Sequence, residues 1–145
     1  MASRQASFTP AAASHVAGDV NGAAAEFTNM GPSGERVKIT SVALMIEGTA
    51  AEVTAWKLHL YSVTPPSALA DDAAFDVPAG DRGFYLGEID LRTAIDLGST
   101  QYIETHNVDK VVKLTGTSVF AYLVNDTTLT PAAVPHTVTL HDEVA

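Results

Sequence analysis

The chain has 145 residues, no cysteine and a formal net charge of −9, from 8 Lys and Arg against 17 Asp and Glu. A domain of this length buries roughly two thirds of its unfolded surface, enough for a core without staples, and the lack of cysteine excludes disulfides and thiolate metal sites. The basic residues, Arg4, Arg36, Lys38, Lys57, Arg82, Arg92, Lys110 and Lys113, are scattered, so no contiguous stripe neutralises phosphates and no nucleic acid partner is expected.

The N-terminal stretch MASRQASFTPAAASHVAG is rich in alanine, but Ser, Thr, Gln and Pro interrupt it, and it reads as a flexible arm without an export signal. Nowhere does the chain offer the roughly 18 consecutive apolar residues of a membrane span, so a soluble protein with no membrane partner is expected. The division expected is an arm over residues 1–13 and a single β-sandwich domain over 14–145.

His15 to Val20 and Ala25 to Thr28 flank Asn21-Gly22, a pair that favours a tight hairpin turn. Beyond the break at Met30-Gly-Pro-Ser-Gly34, the inward set Val37 and Ile39 switches phase to Val42, Leu44 and Ile46. That switch predicts a β-bulge near Thr40 and Ser41. In Ala55 to Val63, Trp56, Leu58 and Leu60 alternate with Lys57, His59 and Tyr61, the pattern of a half-buried strand whose second face meets water or a partner. A long loop follows, with a short helical turn capped by Ser67 allowed over Ser67 to Ala74 and another over Leu91 to Ala94. Phe84 to Leu91, Gln101 to Glu104, Val111 to Leu114, Ser118 to Val124 and Thr137 to His141 complete the strands. The fold class predicted is all-β: an antiparallel sandwich of about eight strands, jelly-roll-like, with one long inserted loop.

Thr9-Pro-Ala-Ala12 with His15 recurs as Thr130-Pro-Ala-Ala133 with His136. Two readings stand: proline starts a peripheral strand twice, or both ends of the chain lie side by side in one sheet.

Chemistry is sparse. His15, His59, His106, His136 and His141 lack the close pairings of a metal site, His136 and His141 have opposite parity on a strand, and all are expected at surfaces or sheet edges. Gly31-Pro-Ser33-Gly34 lacks the spacing of a nucleophile elbow. Asp71, Asp72, Asp76 and Asp81 match no EF-hand spacing and read as a solvated acidic loop. Asn125-Asp-Thr127 matches a glycosylation acceptor in form but is read as a turn. No catalytic residue, metal or cofactor is expected, and the chain is not read as an enzyme. The residues singled out for contact are Phe8 and Pro10 in the arm, with Pro65, Pro66, Phe75, Arg82, Phe84 and Tyr85 in and beside the long loop. They are residue types that anchor interfaces, or else, for Phe75 and Phe84, that cover the core.

The segment LHLYSVTPPSALADDAAFDVPAGDRGFYLGEIDL, followed by Ile95-Asp-Leu-Gly-Ser-Thr100 and the closing His136-Thr-Val-Thr-Leu-His141, resembles small decoration, or cement, proteins of tailed bacteriophage capsids. The similarity is clearest from about Val37 onward. It implies a subunit made in the host bacterial cytoplasm that self-associates, as dimer or trimer, on the outer shell of the virion. There it would bridge capsomers of the major capsid protein and stabilise the head. The rival reading is a carbohydrate-binding sandwich of a fibre or lectin-like module, with Tyr61, Tyr85 or Tyr102 stacking on sugar rings.

Overall fold

The structure, a computed structural model, describes residues 2–145. Its described residues form ten strands: β1 (Ala2–Phe8), β2 (Val20–Phe27), β3 (Arg36–Ile46), β4 (Ala55–Tyr61), β5 (Tyr85–Thr93), β6 (Ile95–Asp96), β7 (Gln101–Thr105), β8 (Lys110–Lys113), β9 (Val119–Asn125) and β10 (His136–Val144). A short 3-10 helix, Ala79–Phe84, precedes β5. All pairings are antiparallel. One sheet runs β1-β10-β3-β7-β6, with β8 pairing the start of β3; the other runs β2-β9-β4-β5. The two sheets form the expected jelly-roll-like sandwich.

Between them lies the core. Phe8, Phe27, Ile39, Leu44, Ile46, Trp56, Leu58, Leu60, Leu91 and Leu114 are all fully buried there. The phase switch in β3 is a bulge: His141 faces Ser41, the next pair is Asp142 and Ile39, and Thr40 is the extra residue. The bulge lets one long strand keep Val37 and Ile39 inward for β8 and Val42, Leu44 and Ile46 inward for β7.

Several sequence expectations are corrected. Residues 2–8 of the expected flexible arm are an edge strand paired with β10 from Ala2–Asp142 to Phe8–His136, because Ala6 and Phe8 alternate with Ser3, Gln5 and Ser7 and bury their side chains. Met1 lies outside the described residues. This pairing places both chain ends side by side in one sheet. Asn21-Gly22 makes no hairpin: β2 runs straight through it, and Gly22, at φ +78°, sits where the register with β9 shifts between Asn21 and Ala25. Ser67 caps no helix; its N–H and hydroxyl both donate to the Asp81 carboxylate, at 3.2 and 3.1 Å. Leu91 to Thr93 belong to β5.

On the second face of β4, His59 and Tyr61 are buried beneath the chain's own loop, while the Lys57 side chain stays 30% exposed. Residues 62–84 fold back over the four-stranded sheet, so that Val20, Tyr61, Tyr122 and Val124 form a second buried cluster with Leu69, Phe75, Phe84, Tyr85 and Phe120 packed on it. The same loop pairs with the start of the free edge of β2, from Gly18 to Val20. Asp72 N–H donates to Val20 O at 2.8 Å, Val20 N–H to Ala73 O at 2.8 Å, and Phe75 N–H to Gly18 O at 2.9 Å.

Candidate functional site

Of the residues singled out for contact, Phe8 and Pro10 are buried in their own chain and cannot meet a neighbour through their side chains. Pro65 is buried as well, while Pro66 and Arg82 are exposed. Phe75, Phe84 and Tyr85 are half-buried, and their apolar surface is spent largely on the second cluster. The Phe75 ring stacks on His59 at 3.8 Å, and the Tyr85 hydroxyl shares a 2.8 Å hydrogen bond with His59 Nδ1. Burial holds the His59 ring below the usual histidine range, against the pull of Glu88 at 3.6 Å. The loop therefore brings Phe75 and Tyr85 together, but against its own sheet.

Three of the five histidines depart from the surface or edge-strand expectation. His15 and His136 are fully buried, and His59 nearly so. Each of the first two is held by a carboxylate: His15 Nε2 lies 3.0 Å from Asp71 Oδ1 and His136 Nε2 lies 2.7 Å from Glu52 Oε2. Pairing of this kind lets a buried polar ring escape its desolvation cost, and spacing alone does not reveal it because the partners lie 56 and 84 residues away. His141, at opposite parity to His136, points to the outer face and is half-buried. No group of three His, Asp or Glu side chains converges as a metal site among the described residues. The Asn125 side chain is fully buried and cannot serve as a glycosylation acceptor in the folded chain. Burial likewise disposes of Tyr61 as a sugar platform, with its hydroxyl pushed up to about 12 by desolvation and by nearby Tyr122 and Asp81.

What remains open is the outer face of the six-stranded sheet. Register puts Ser7, Thr137, Met45, Tyr102 and Ile95 in one cross-strand row, with Gln5, Thr139, Ala43 and Glu104 in the row beside it. The left half is a hydroxyl ladder: Ser7 Oγ is 2.9 Å from Thr137 Oγ1, and Gln5 Nε2 donates to Thr139 Oγ1 at 3.2 Å. The right half is apolar. Met45 is 43% exposed, Ile95 60% and, in the turn after β6, Leu97 63%. Tyr102 lies between them and donates its hydroxyl to Glu104 Oε1 at 2.8 Å. A shallow hollow of about 200 Å³ opens on this face among Gln5, Met45, Tyr102 and His141. Sequence reasoning singled out none of Met45, Ile95 and Leu97. Their signal was slight, two apolar residues in a turn-like stretch and one methionine on a strand.

No family model matches the chain, and no curated protein matches it. Among solved structures, it is similar to a carbohydrate-binding module specific for non-crystalline cellulose, at 11% identity over 84% of this chain and 65% of that one, with a TM-score of 0.38. It is also similar to a chain of the Israeli acute paralysis virus particle, at 16% identity over 77% and 51% with a TM-score of 0.23. A third likeness is to the sugar-binding C-terminal domain of EclA, at 13% identity over 100% and 79% with a TM-score of 0.27. The chain spans less than two thirds of the length of the first two. At these scores none of the likenesses carries a function across.

Proposed function

We propose that this chain is a structural virion protein that binds the outer surface of a tailed-phage capsid and bridges neighbouring major capsid protein capsomers. The observation that carries the reading is the apolar row Met45, Tyr102 and Ile95, with Leu97 beside it, on the open outer face of the six-stranded sheet. Exposed apolar side chains set in line on a broad sheet favour docking on another broad surface over gripping a small substrate. The sequence resemblance to capsid decoration proteins points to the same role. Charge agrees with it: at −9 the chain avoids DNA, and many copies on a symmetric shell add weak contacts multivalently. Pro66 and Arg82, exposed on the long loop, are further contact points. Self-association would use the free edge of β1, which carries no proline and only Arg4 as a charge.

The hollow beside Tyr102 favours one second reading, a sugar site, since an aromatic ring flanked by Gln5, Thr139 and His141 offers stacking together with hydrogen bonds. Cosedimentation with expanded capsids separates the two. Saturable binding at symmetry-defined positions, lost in Ile95→Glu and Met45→Glu, is the expected result. Binding to a glycan array with no binding to capsids of the same virus would sink the capsid reading and establish the other.

A further inference from the structure

The sequence echo is a structural echo as well. In the first copy, Ala11 N–H donates to Asp71 Oδ2 at 3.2 Å, His15 Nδ1 faces Ala13 O at 2.8 Å, and His15 Nε2 faces Asp71 Oδ1 at 3.0 Å. In the second, Ala132 N–H donates to Glu52 Oε1 at 2.8 Å, His136 Nδ1 faces Val134 O at 2.8 Å, and His136 Nε2 faces Glu52 Oε2 at 2.7 Å. Atom for atom, the residue after the proline and the closing histidine take one oxygen each of a single carboxylate, while the ring is oriented by the carbonyl two residues before it. Pro10 and Pro131 are both buried. The two carboxylates come from different loops, Asp71 from the 62–84 segment and Glu52 from the 47–54 segment.

We propose that Thr-Pro-Ala-Ala-x-x-His is a carboxylate clasp used twice, and that its first copy is the latch holding the 62–84 loop down over the aromatic face of the four-stranded sheet. Asp71 is the loop's main polar anchor at that end, since it also accepts Gly22 N–H at 2.7 Å, giving one carboxylate three donors from the segment after β1 and from β2. Immediately beyond it come the backbone hydrogen bonds of Asp72, Ala73 and Phe75 to the β2 edge. Beneath the loop lie Tyr61, Tyr122 and Val124, whose apolar surface would be bared if it lifted.

Both ring nitrogens of His15 face acceptors, and a neutral imidazole has one N–H to give, so the fully formed latch needs the imidazolium. The charged groups facing His15 are Asp71 and Asp72 from the loop and Asp19 from the segment before β2. Burial lowers the ring's affinity for a proton, but the hydrogen bonds to Asp71 and Ala13 and the charges of Asp71 and Asp72 outweigh it, leaving His15 above its ordinary 6.5. For Asp71, burial acts upward and is outweighed by the Gly22 N–H, His15 and the Ala11 N–H, so its carboxyl stays below 3.8. A raised histidine contributes stability that is lost as pH rises through its folded value, and a lowered aspartate contributes stability lost as pH falls through its own. The latch is therefore strongest between about pH 3.8 and 6.5, and weakens as pH rises above 6.5.

Hydrogen exchange on the full chain tests this independently of capsid binding. Asp71→Asn should lower protection factors at Val20, Asp72 and Phe75, the amides that bond across the loop's edge, at least about tenfold and raise binding of an apolar dye, while amides of β3 and β9 keep theirs. Glu52→Gln, which breaks the twin clasp, should leave those three amides at wild-type protection. Unchanged loop protection in Asp71→Asn, or equal opening by Glu52→Gln, overturns the latch. Should Asp71→Asn fail to fold, the wild-type chain decides: protection of Val20, Asp72 and Phe75 must fall relative to β9 between pH 6 and pH 8.5, and a constant ratio overturns the proposal.

Discussion

Asn21 Nδ2 donates to Asn125 Oδ1 at 2.8 Å, joining β2 to β9 where both side chains are fully buried. Asn125 uses its own amide nitrogen on three backbone carbonyls, Val16 at 2.9 Å, Thr127 at 2.9 Å and His15 at 3.3 Å. It thus ties the segment before β2 and the turn after β9 to the end of the ladder. Asn125→Ala would remove these bonds and strip the buried Asn21 amide of its side-chain acceptor, and leaving a buried polar group unpaired costs about 1–3 kcal/mol. The expected loss is about 3 kcal/mol in denaturant unfolding, with Asn125→Asp no better, because its carboxylate cannot donate to those carbonyls.

Tyr122 fastens the first third of the long loop, just ahead of Asp71. Its hydroxyl accepts Leu69 N–H at 3.0 Å and donates to Ser67 O at 3.1 Å, while its ring packs edge-on against Tyr61. Tyr122→Phe keeps the ring and removes both bonds, so a loss of about 1–2 kcal/mol is expected. Proteolysis should then speed up within residues 62–84 before the sandwich itself unfolds, which limited digestion with mass analysis would show.

Gly22 cannot carry a side chain. Its φ is +78°, and a Cβ built on it would lie 2.9 Å from the Thr9 backbone nitrogen, where the chain leaving β1 crosses β2. Left-handed strain and a backbone clash therefore act together in Gly22→Ala, and a destabilisation of about 2–4 kcal/mol is expected from the melting curve. Gly34, at the same φ, has nothing within 4 Å of its would-be Cβ, so Gly34→Ala should cost only about 1 kcal/mol.

These residues show what the sequence could and could not disclose. Strand periodicity was legible wherever one face is apolar, as in Trp56, Leu58 and Leu60, and the phase break at Thr40 disclosed the bulge in β3. Asn21-Gly22 misled because its turn propensity is local, whereas the partner that keeps the chain extended there, Asn125, lies 104 residues away. β1 escaped notice because its inward set, Ala2, Arg4, Ala6 and Phe8, holds only one large apolar residue. His15 and His136 read as surface groups for the same reason that Asn21-Gly22 read as a turn: carboxylates distant in sequence made burial affordable. The repeated Thr-Pro-Ala-Ala motif was visible throughout, but its meaning resided in Asp71 and Glu52, which no local pattern connects to it. The outer-face row Met45, Tyr102 and Ile95 depends on the register of three strands, a quantity that alternation within each strand does not supply.

Asp142 supplies a prediction of opposite sign to most substitutions. Its carboxylate is buried beside β1, with Arg4 Nε 3.8 Å from Oδ2, too far for a hydrogen bond, and neither atom has a hydrogen-bond partner among the described residues. Burial raises its proton affinity and the attraction of Arg4 only partly offsets this, so the folded value lies above 3.8. For a raised acid the folded state binds the proton more tightly than the unfolded chain. Stability therefore falls as pH climbs from the unfolded value through the folded one, and the penalty is complete at neutral pH. Asp142→Asn abolishes that penalty, and the exposed part of Arg4 remains solvated. The variant should melt higher than the wild type at pH 7, with the advantage shrinking toward zero as pH falls to about 3.8. A pair of thermal melts at pH 7 and pH 4 measures it, and a variant less stable at pH 7 would show that the Arg4 attraction outweighs the cost of burying the charge.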